Sequence, residues 1–465
     1  MKRDYYIEYF EFIDMLFREF INDMKEKYPG AFHVGDYCCE IPVICFLTFY
    51  RYYTHSKDLY NHLRKEGKSR DEVHQLFKNR LYETVNNSFT QPAIVSINNN
   101  DELQLLLQPF RNQILIYVYN ERHLNYLIPL ICRLNQPVVL VSEFDLSDRT
   151  DLPDYVSVLT IEFLKEQYYS PFLYEHYPHI YHYCNTFAQL MQILQPCCTI
   201  VLEGCLFQHA IIANISKRLS IPSICIQHGW PSMLLCCSRN MQYDYFFSWG
   251  RLFNDLWKEH NPIPKFVSMG YMYPVLPMRE KISITFFLQG PYVLHDKEYF
   301  DEMLDFLLQC AISFPTQMFC VREHPEYRIP DDFKKKLNEC SNIRDVSKEP
   351  LSEIYAETIL VVSHSSSCIM EGIVHKCIPF VFDPTFESRY CPDIEKMTLG
   401  IIANTMEEAV RKMNSFILHP SQRNCFLKRN DEIKKKLFAS YGKDTLRKMV
   451  KFINRIVAYE KCKDK

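Results

Sequence analysis

Four short clusters hold the residue types that could move a proton or hold an anion. Leu202-Glu203-Gly204 sets a carboxylate directly after the apolar run Cys198-Thr199-Ile200-Val201, with a glycine behind it that frees the backbone. A carboxylate at a strand end suits a general base facing a cleft; as an acid in the first turn of a helix it would instead answer the helix dipole. Ile226-Gln227-His228-Gly229-Trp230 closes a second apolar run. An imidazole there can exchange a proton with a substrate, or sit buried as a structural group. In Arg322-Glu323-His324-Pro325 the proline biases His324 toward an extended conformation at the exit of a strand. From that position the ring can bond a phosphate or a base carbonyl, while alternation turns the Arg322 side chain elsewhere. The fourth cluster, Ser363-His364-Ser365-Ser366-Ser367, lies between the run Ile359-Leu360-Val361-Val362 and a helical pattern carrying Glu371. Helix capping by Ser366 or Ser367 needs one hydroxyl. Four serines at a strand-to-helix turn point further, to an anion held at a helix N-terminus, and Glu371, one turn on, could accept bonds from both hydroxyls of a ribose.

The elements around these clusters alternate in a way that explains their position. Ile369, Met370, Ile373 and Val374 form one helical face, and Ile378-Pro379-Phe380-Val381-Phe382 is a β-rich run, so the serine cluster belongs to a βαβ unit. Upstream, strands are expected at Ala93 to Ile97, Gln113 to Tyr119, Pro137 to Val141, Ser157 to Ile161, Thr199 to Leu202, Ser223 to Ile226 and around Phe266 to Gly270. Helical stretches between them argue for a parallel sheet with helical crossovers. Tyr271 to Lys281, with Pro274 and Pro277, reads as an inter-domain linker. A second α/β rhythm then starts: a strand Ile284 to Leu288 ending at Gln289-Gly290-Pro291, a helix over 297–312, a strand Gln317 to Val321, helices over 331–339 and 409–416, and long lysine-rich helices over 426–460.

The expected fold class is therefore α/β, two Rossmann-like domains facing across a cleft. Residues 1–90 form a helical N-terminal region belonging to the first domain, 91–272 the first Rossmann-like domain, 282–425 the second, and 426–465 the C-terminal helices. Clefts between two rows of strand ends are the usual home of nucleotide-linked substrates. His209 and His260 read as residues of helical surfaces and take no role.

Composition narrows the class further. The chain has 465 residues, 47% hydrophobic and 23% charged, as in an ordinary globular protein. A net charge of −3 offers no footprint for nucleic acid. The 19 cysteines have no zinc-ligand spacing, and with no signal peptide evident they read as reduced, buried thiols of a cytosolic protein. Its most apolar early run, Ile41 to Leu47, is too short to span a bilayer, which leaves peripheral docking on a membrane surface open. Neither GxxxxGK[ST] nor GxGxxG occurs, and no metal-ligand constellation stands out, so no cofactor and no metal are expected.

Gln227-His228-Gly229, His324-Pro325 and the serine cluster, with Glu371-Gly372 and Lys376-Cys377-Ile378-Pro379 after it, resemble the GT-B-type glycosyltransferases over roughly residues 93–425. Within them the histidine-proline pair and the serines resemble bacterial transferases using CMP-activated acidic sugars, the sialyl-, polysialyl- and Kdo-transferases of capsule and lipopolysaccharide assembly. That resemblance implies metal-independent transfer from a nucleotide-sugar donor to a glycan or glycolipid acceptor at the inner face of the cytoplasmic membrane. It implies that Glu203 is the base, that His324 contacts CMP, and that Ser365, Ser366 and Ser367 hold the phosphate. The residues themselves add His228 as a second catalytic candidate, and Gly290, Pro325, Ser363 and Glu371 to the expected nucleotide-sugar site. The sialyltransferase pattern has a second acid where this chain has Leu202. A similar serine-rich turn occurs in CDP-glycerol glycerophosphotransferases and UDP-GlcNAc 2-epimerases, and a non-catalytic assembly protein could keep the same fold.

Overall fold

The computed structural model describes residues 6–52, 55–83, 101–161, 170–229, 235–277, 279–289, 297–325, 327–364, 366–384 and 397–463. The strand expected at Ala93 to Ile97, and the candidate residues Gly290 and Ser365, lie outside the described residues.

Long helices fill the N-terminal region, among them Tyr6–Lys27 and Arg70–Glu83. Between them β1 (His33–Val34) and β2 (Tyr37–Cys38) form a small antiparallel hairpin, turning at Gly35 with φ +56°, the left-handed conformation such two-residue turns require. A larger sheet follows, made of β3 (Ile114–Val118), β4 (Val138–Ser142), β5 (Val156–Thr160), β6 (Cys198–Leu202), β7 (Ser223–Ile226), β8 (Tyr245–Ser248) and β9 (Lys265–Ser268). Its order is β5-β4-β3-β6-β7-β8-β9, with every pair parallel. A second sheet holds β10 (Ser283–Phe287), β11 (Met318–Arg322), β12 (Ile343–Asp345), β13 (Thr358–Ser363), β14 (Ile378–Phe382) and β15 (Ile401–Ala403), in the order β12-β11-β10-β13-β14-β15, again parallel throughout.

The central strands β3, β4, β6, β10 and β14 are buried at every position. Helices cover both faces of such a sheet, so its strands appear as unbroken apolar runs rather than alternating ones. Both sheets reverse direction in the middle, between β3 and β6 in one and between β10 and β13 in the other. A crevice opens at the carboxyl ends of the strands on either side of such a reversal. Glu203 follows β6 and the serine cluster follows β13, one at each crevice, while His228 and His324 follow the next strands out, β7 and β11.

The lysine-rich C-terminal stretch is two helices, Ser421–Leu437 and Gly442–Lys463, with a break between them. The break carries the chain back onto the first sheet. Ala439 N–H donates to the Trp249 carbonyl at 2.9 Å, Tyr271 N–H to Ser440 at 2.9 Å and Gly442 N–H to Tyr271 at 2.7 Å. Gly270, at φ +119°, leaves no room here for a side chain: a Cβ would stand 2.3 Å from the Ser440 carbonyl oxygen. The two layers are therefore joined twice, by the linker after Tyr271 and by the return at Phe438–Tyr441.

Candidate functional site

Glu203 follows β6 directly and has φ +74°, with Gly204 behind it at φ +85°. Two successive left-handed residues are costly where the first is not glycine. The surroundings impose them: Glu203 N–H still completes the ladder to the Ile226 carbonyl at 2.9 Å, and the Tyr243 hydroxyl donates to the Gly204 carbonyl at 3.1 Å. A Cβ on Gly204 would lie 2.5 Å from the Cys225 sulfur. The backbone is thus bent to aim one carboxylate off the strand.

That carboxylate meets two imidazoles. His123 Nε2 lies 3.3 Å from Glu203 Oε2, and His228 Nδ1 lies 4.0 Å from the same oxygen. His123 comes from the helix Glu121–Leu134 after β3, whose N-cap Asn120 accepts the His123 N–H at 2.9 Å. His228 comes from the turn after β7. The Gln227 amide pins that turn, donating to the Gly229 carbonyl at 2.8 Å and accepting the Trp249 N–H at 2.6 Å. Burial alone would raise the Glu203 pKa, but the His123 hydrogen bond and then the electrostatic pull of His228, His123 and Arg122 hold it well below the ordinary range. Burial pushes His228 down to about 4 against a partial lift from Glu203, so its ring is neutral at pH 7. Neutral imidazole beside a fixed carboxylate is an arrangement that can accept a proton and have the resulting charge stabilised.

His209, expected on a helical surface, is fully buried. Its ring packs 5.5 Å from Tyr117 and 6.0 Å from His123 between centroids, and neither ring nitrogen has a hydrogen-bond partner. Burial, then repulsion from His123, lowers its pKa to about 3. The amphipathic pattern failed here because the helix Phe207–Arg218 is covered on nearly all sides.

The facing crevice is lined by hydroxyls. Ser363 ends β13, fully buried, and donates to the Phe287 carbonyl of β10 at 2.6 Å; its hydroxyl closes the sheet and is not turned to the crevice. Ser366 Oγ accepts the Cys368 N–H at 3.3 Å, and Ser367 occupies the N-cap position with no capping bond from its side chain. Both are partly exposed. Glu371 is buried and its Oε2 accepts the Tyr271 hydroxyl at 2.7 Å, so one oxygen of the carboxylate read as a ribose ligand already holds a bond from the linker. Burial raises its pKa, with bonds from Tyr271 and Ser367 pulling the other way. His324 is half-buried and Pro325 exposed after β11. Beneath them Glu323 is locked by Arg328 and Lys334, each at 2.9 Å, and by the Ile329 N–H at 2.8 Å. The Arg322 guanidinium bonds the Glu349 carbonyl at 2.6 Å, away from His324, as the alternation required.

The two crevices adjoin. A Cβ on Gly229 would come 3.5 Å from Ser367 Cβ, which places the turn of His228 against the serine turn. A run of aromatic rings follows the same seam: Tyr126 lies 4.4 Å from His228 and 4.8 Å from Tyr273, and Tyr273 lies 5.0 Å from Tyr271. His123, Tyr126, Tyr271 and Tyr273 were not singled out in the sequence. The signal for His123 was Asn120, an N-cap immediately after an expected strand.

No protein-family model matches the sequence, and no curated protein matches it. Among solved structures the chain is similar to Os79 from O. sativa in complex with U2F and trichothecene, at 11% identity and a TM-score of 0.51, over 75% of this chain and 100% of that one. It is also similar to UDP-GlcNAc 2-epimerase from Neisseria meningitidis bound to UDP-GlcNAc, at 13% identity and a TM-score of 0.48, over 70% of this chain and 99% of that one. A third similarity is to the wall teichoic acid polymerase TagF, at 10% identity and a TM-score of 0.47, over 77% and 92%. These likenesses are of fold. The chain has the GT-B fold, two facing Rossmann-like units with helical N- and C-terminal segments, as the sequence led one to expect.

Proposed function

We propose that the protein transfers a sugar from a nucleotide donor to a hydroxyl of a glycan or glycolipid at the cytoplasmic face of a membrane, with a CMP-activated acidic sugar as the favoured donor. Residues 91–272, with the helical region 1–90, form the acceptor half; residues 282–425 form the donor half, and 426–465 the C-terminal helices. The observation that carries the reading is the meeting of the Glu203–His228 pair with Ser367 across the seam. One side can take a proton and the other can hold an anion, and glycosyl transfer needs both within a few ångströms.

In this reading the acceptor oxygen attacks the anomeric carbon, the bond from that carbon to the nucleotide phosphate oxygen breaks, and the free nucleotide leaves. The acceptor proton passes to the Glu203–His228 pair, where Glu203 remains charged and stabilises the imidazolium. Ser365, Ser366, Ser367 and His324 bond the departing phosphate, acting mainly through preorganised dipoles. Preference for CMP rests on the resemblance of the His324-Pro325 pair and the serine cluster.

A thermal-shift series with CMP, UDP, CDP and GDP tests the donor side, because a ligand that binds only the folded state raises the melting temperature. CMP is expected to give the largest shift, and CMP-sugars to yield product with a glycan acceptor. Stabilisation by UDP alone would overturn the donor assignment. Conversion of UDP-GlcNAc without any acceptor would replace transfer by epimerisation.

A further inference from the structure

The C-terminal helix Gly442–Lys463 carries a feature for which the cleft has no use. The chain as a whole has a net charge of −3, yet residues 421–465 hold fourteen lysines and arginines against five acids, +9, which leaves −12 on the first 420 residues. On the helix Lys443, Arg447, Lys451 and Arg455 recur at every fourth position and Tyr459 continues the series, all five exposed. Side chains four apart form a continuous ridge, here about 18 Å long from the first cation to the last at the helical rise. Across from the ridge stands Arg133, at the end of the helix Glu121–Leu134. The groove between them has a volume of about 700 Å³, with Val450 and Ala458 among its walls. Arg447 pairs with the exposed Asp444 at 3.4 Å.

We propose that this groove docks the protein on an anionic phospholipid bilayer, with its cations against lipid phosphates and Tyr459 at the headgroup level. Long basic side chains lay apolar stems along a surface and keep their charge in water, which suits the boundary between headgroups and glycerol. Tyr459, 64% exposed, is a residue type enriched at membrane–water interfaces. The ridge is about 18 Å long and its exposed ring is Tyr459, whereas a nucleic acid strand would want a series of stacking rings. Among the described residues no helix is long and apolar enough to cross a membrane, so the contact is with the surface. The inference does not rest on the transfer reading. It bears on that reading through the helix Glu121–Leu134, whose first turn holds His123 and whose last holds Arg133, about 15 Å apart along the axis.

The test is sedimentation of the full chain with vesicles of phosphatidylcholine alone and of phosphatidylcholine with one-third phosphatidylglycerol. Binding is expected only to the anionic vesicles and should weaken as salt rises from about 0.1 M to about 0.5 M. Each basic residue near an anionic surface is worth about fivefold in partitioning, so reversing two charges with Lys451→Glu and Arg455→Glu should lower binding by about thirtyfold or more. Both positions are exposed, and the melting temperature should stay that of the parent. A control pair, Lys65→Glu with Lys335→Glu, changes net charge equally at exposed sites elsewhere and should bind as the parent does. Equal binding to both vesicle types, or equal loss in the control pair, overturns the proposal. So does release from vesicles by millimolar inorganic phosphate at constant ionic strength, which would mark a free-anion site. Tighter binding to a single-stranded oligonucleotide at equal phosphate would assign the groove to nucleic acid instead.

Discussion

At the rim of the seven-stranded sheet, three imidazoles and a carboxylate pack against one another on a backbone forced to positive φ at Glu203. At the facing rim of the six-stranded sheet the described polar groups are serine hydroxyls with the imidazoles of His324 and His364, and the nearby carboxylate Glu371 is buried and bonded to Tyr271. Titratable groups pushed away from their usual pKa mark the first rim; hydroxyls at a strand-to-helix turn mark the second. Where environments drive titratable groups apart, acid–base work is expected, and where donors are fixed, charge is held. The division of labour between the two rims makes each separately breakable.

The largest effect is expected at the first rim. Glu203→Gln keeps the shape of the side chain and removes the charge that would stabilise a protonated His228, so turnover should fall by about 10² to 10⁴, as loss of a general base does. Nucleotide affinity, measured without acceptor, should stay within about a factor of two to three, too small to signal even one lost hydrogen bond. A variant that turns over bound donor normally but binds it weakly would erase the distinction between the rims.

Acid should also weaken the first rim. His209 has a folded pKa of about 3 against 6.5 in the unfolded chain. The unfolded state therefore binds the proton first, and stability is lost as pH falls below 6.5. His228, at about 4, acts with the same sign. Glu203, held low in the fold, adds its own loss below the ordinary carboxylate value of 4.5. Denaturant unfolding between about pH 7 and pH 4 should show this fall, and His209→Phe, which keeps a ring of similar size, should remove on the order of 3 kcal/mol of it. A flat profile in the parent would mean that these rings are not neutral and buried.

The second rim should fail differently. Ser366→Ala and Ser367→Ala each remove a hydroxyl that would bond a charged phosphate, a loss of about 1.5–3 kcal/mol. It should appear as weaker nucleotide binding in calorimetry, with turnover at saturating donor nearly unchanged. Loss of turnover without loss of affinity would move the serines to the proton-handling side.

Much of this comparison could be read from sequence, and the reason is the length of the apolar runs. β6, β7 and β13 are buried over four or more residues and β11 over three, so their ends, and the clusters Glu203, His228, His324 and the serine turn after them, stood out. Strands β12 and β15, three residues each at or beside a sheet edge, and the short aromatic β8 carry too little pattern to be seen. The pairing of His123 with Glu203 depends on β3 lying beside β6, with β4 and β5 turned the other way; no local spacing contains that. The bond between Tyr271 and Glu371 joins residues 100 apart, from the linker to the helix after β13, and no local pattern contains it.

That bond supplies the smallest of the expected effects and the one that tests how the rims are held together. Tyr271→Phe keeps the ring, with its edge contacts to Trp249 at 5.6 Å and Tyr273 at 5.0 Å, and removes only the donor. Glu371 is left buried with one bond fewer, a cost of about 1–3 kcal/mol when the carboxylate is charged. Its pKa in the fold already lies above the ordinary value, so the fold prefers its protonated form and this group penalises stability as pH rises from 4.5 through the folded pKa, opposite in sign to the imidazoles. The Tyr271 hydroxyl relieves part of that penalty by favouring the charged form. Removing it should therefore widen the gap in melting temperature between parent and variant as pH rises, and narrow it in acid, where Glu371 is protonated in both. A gap independent of pH would mean that Tyr271 contributes packing alone, and that the seam between the two rims does not depend on the charge of Glu371.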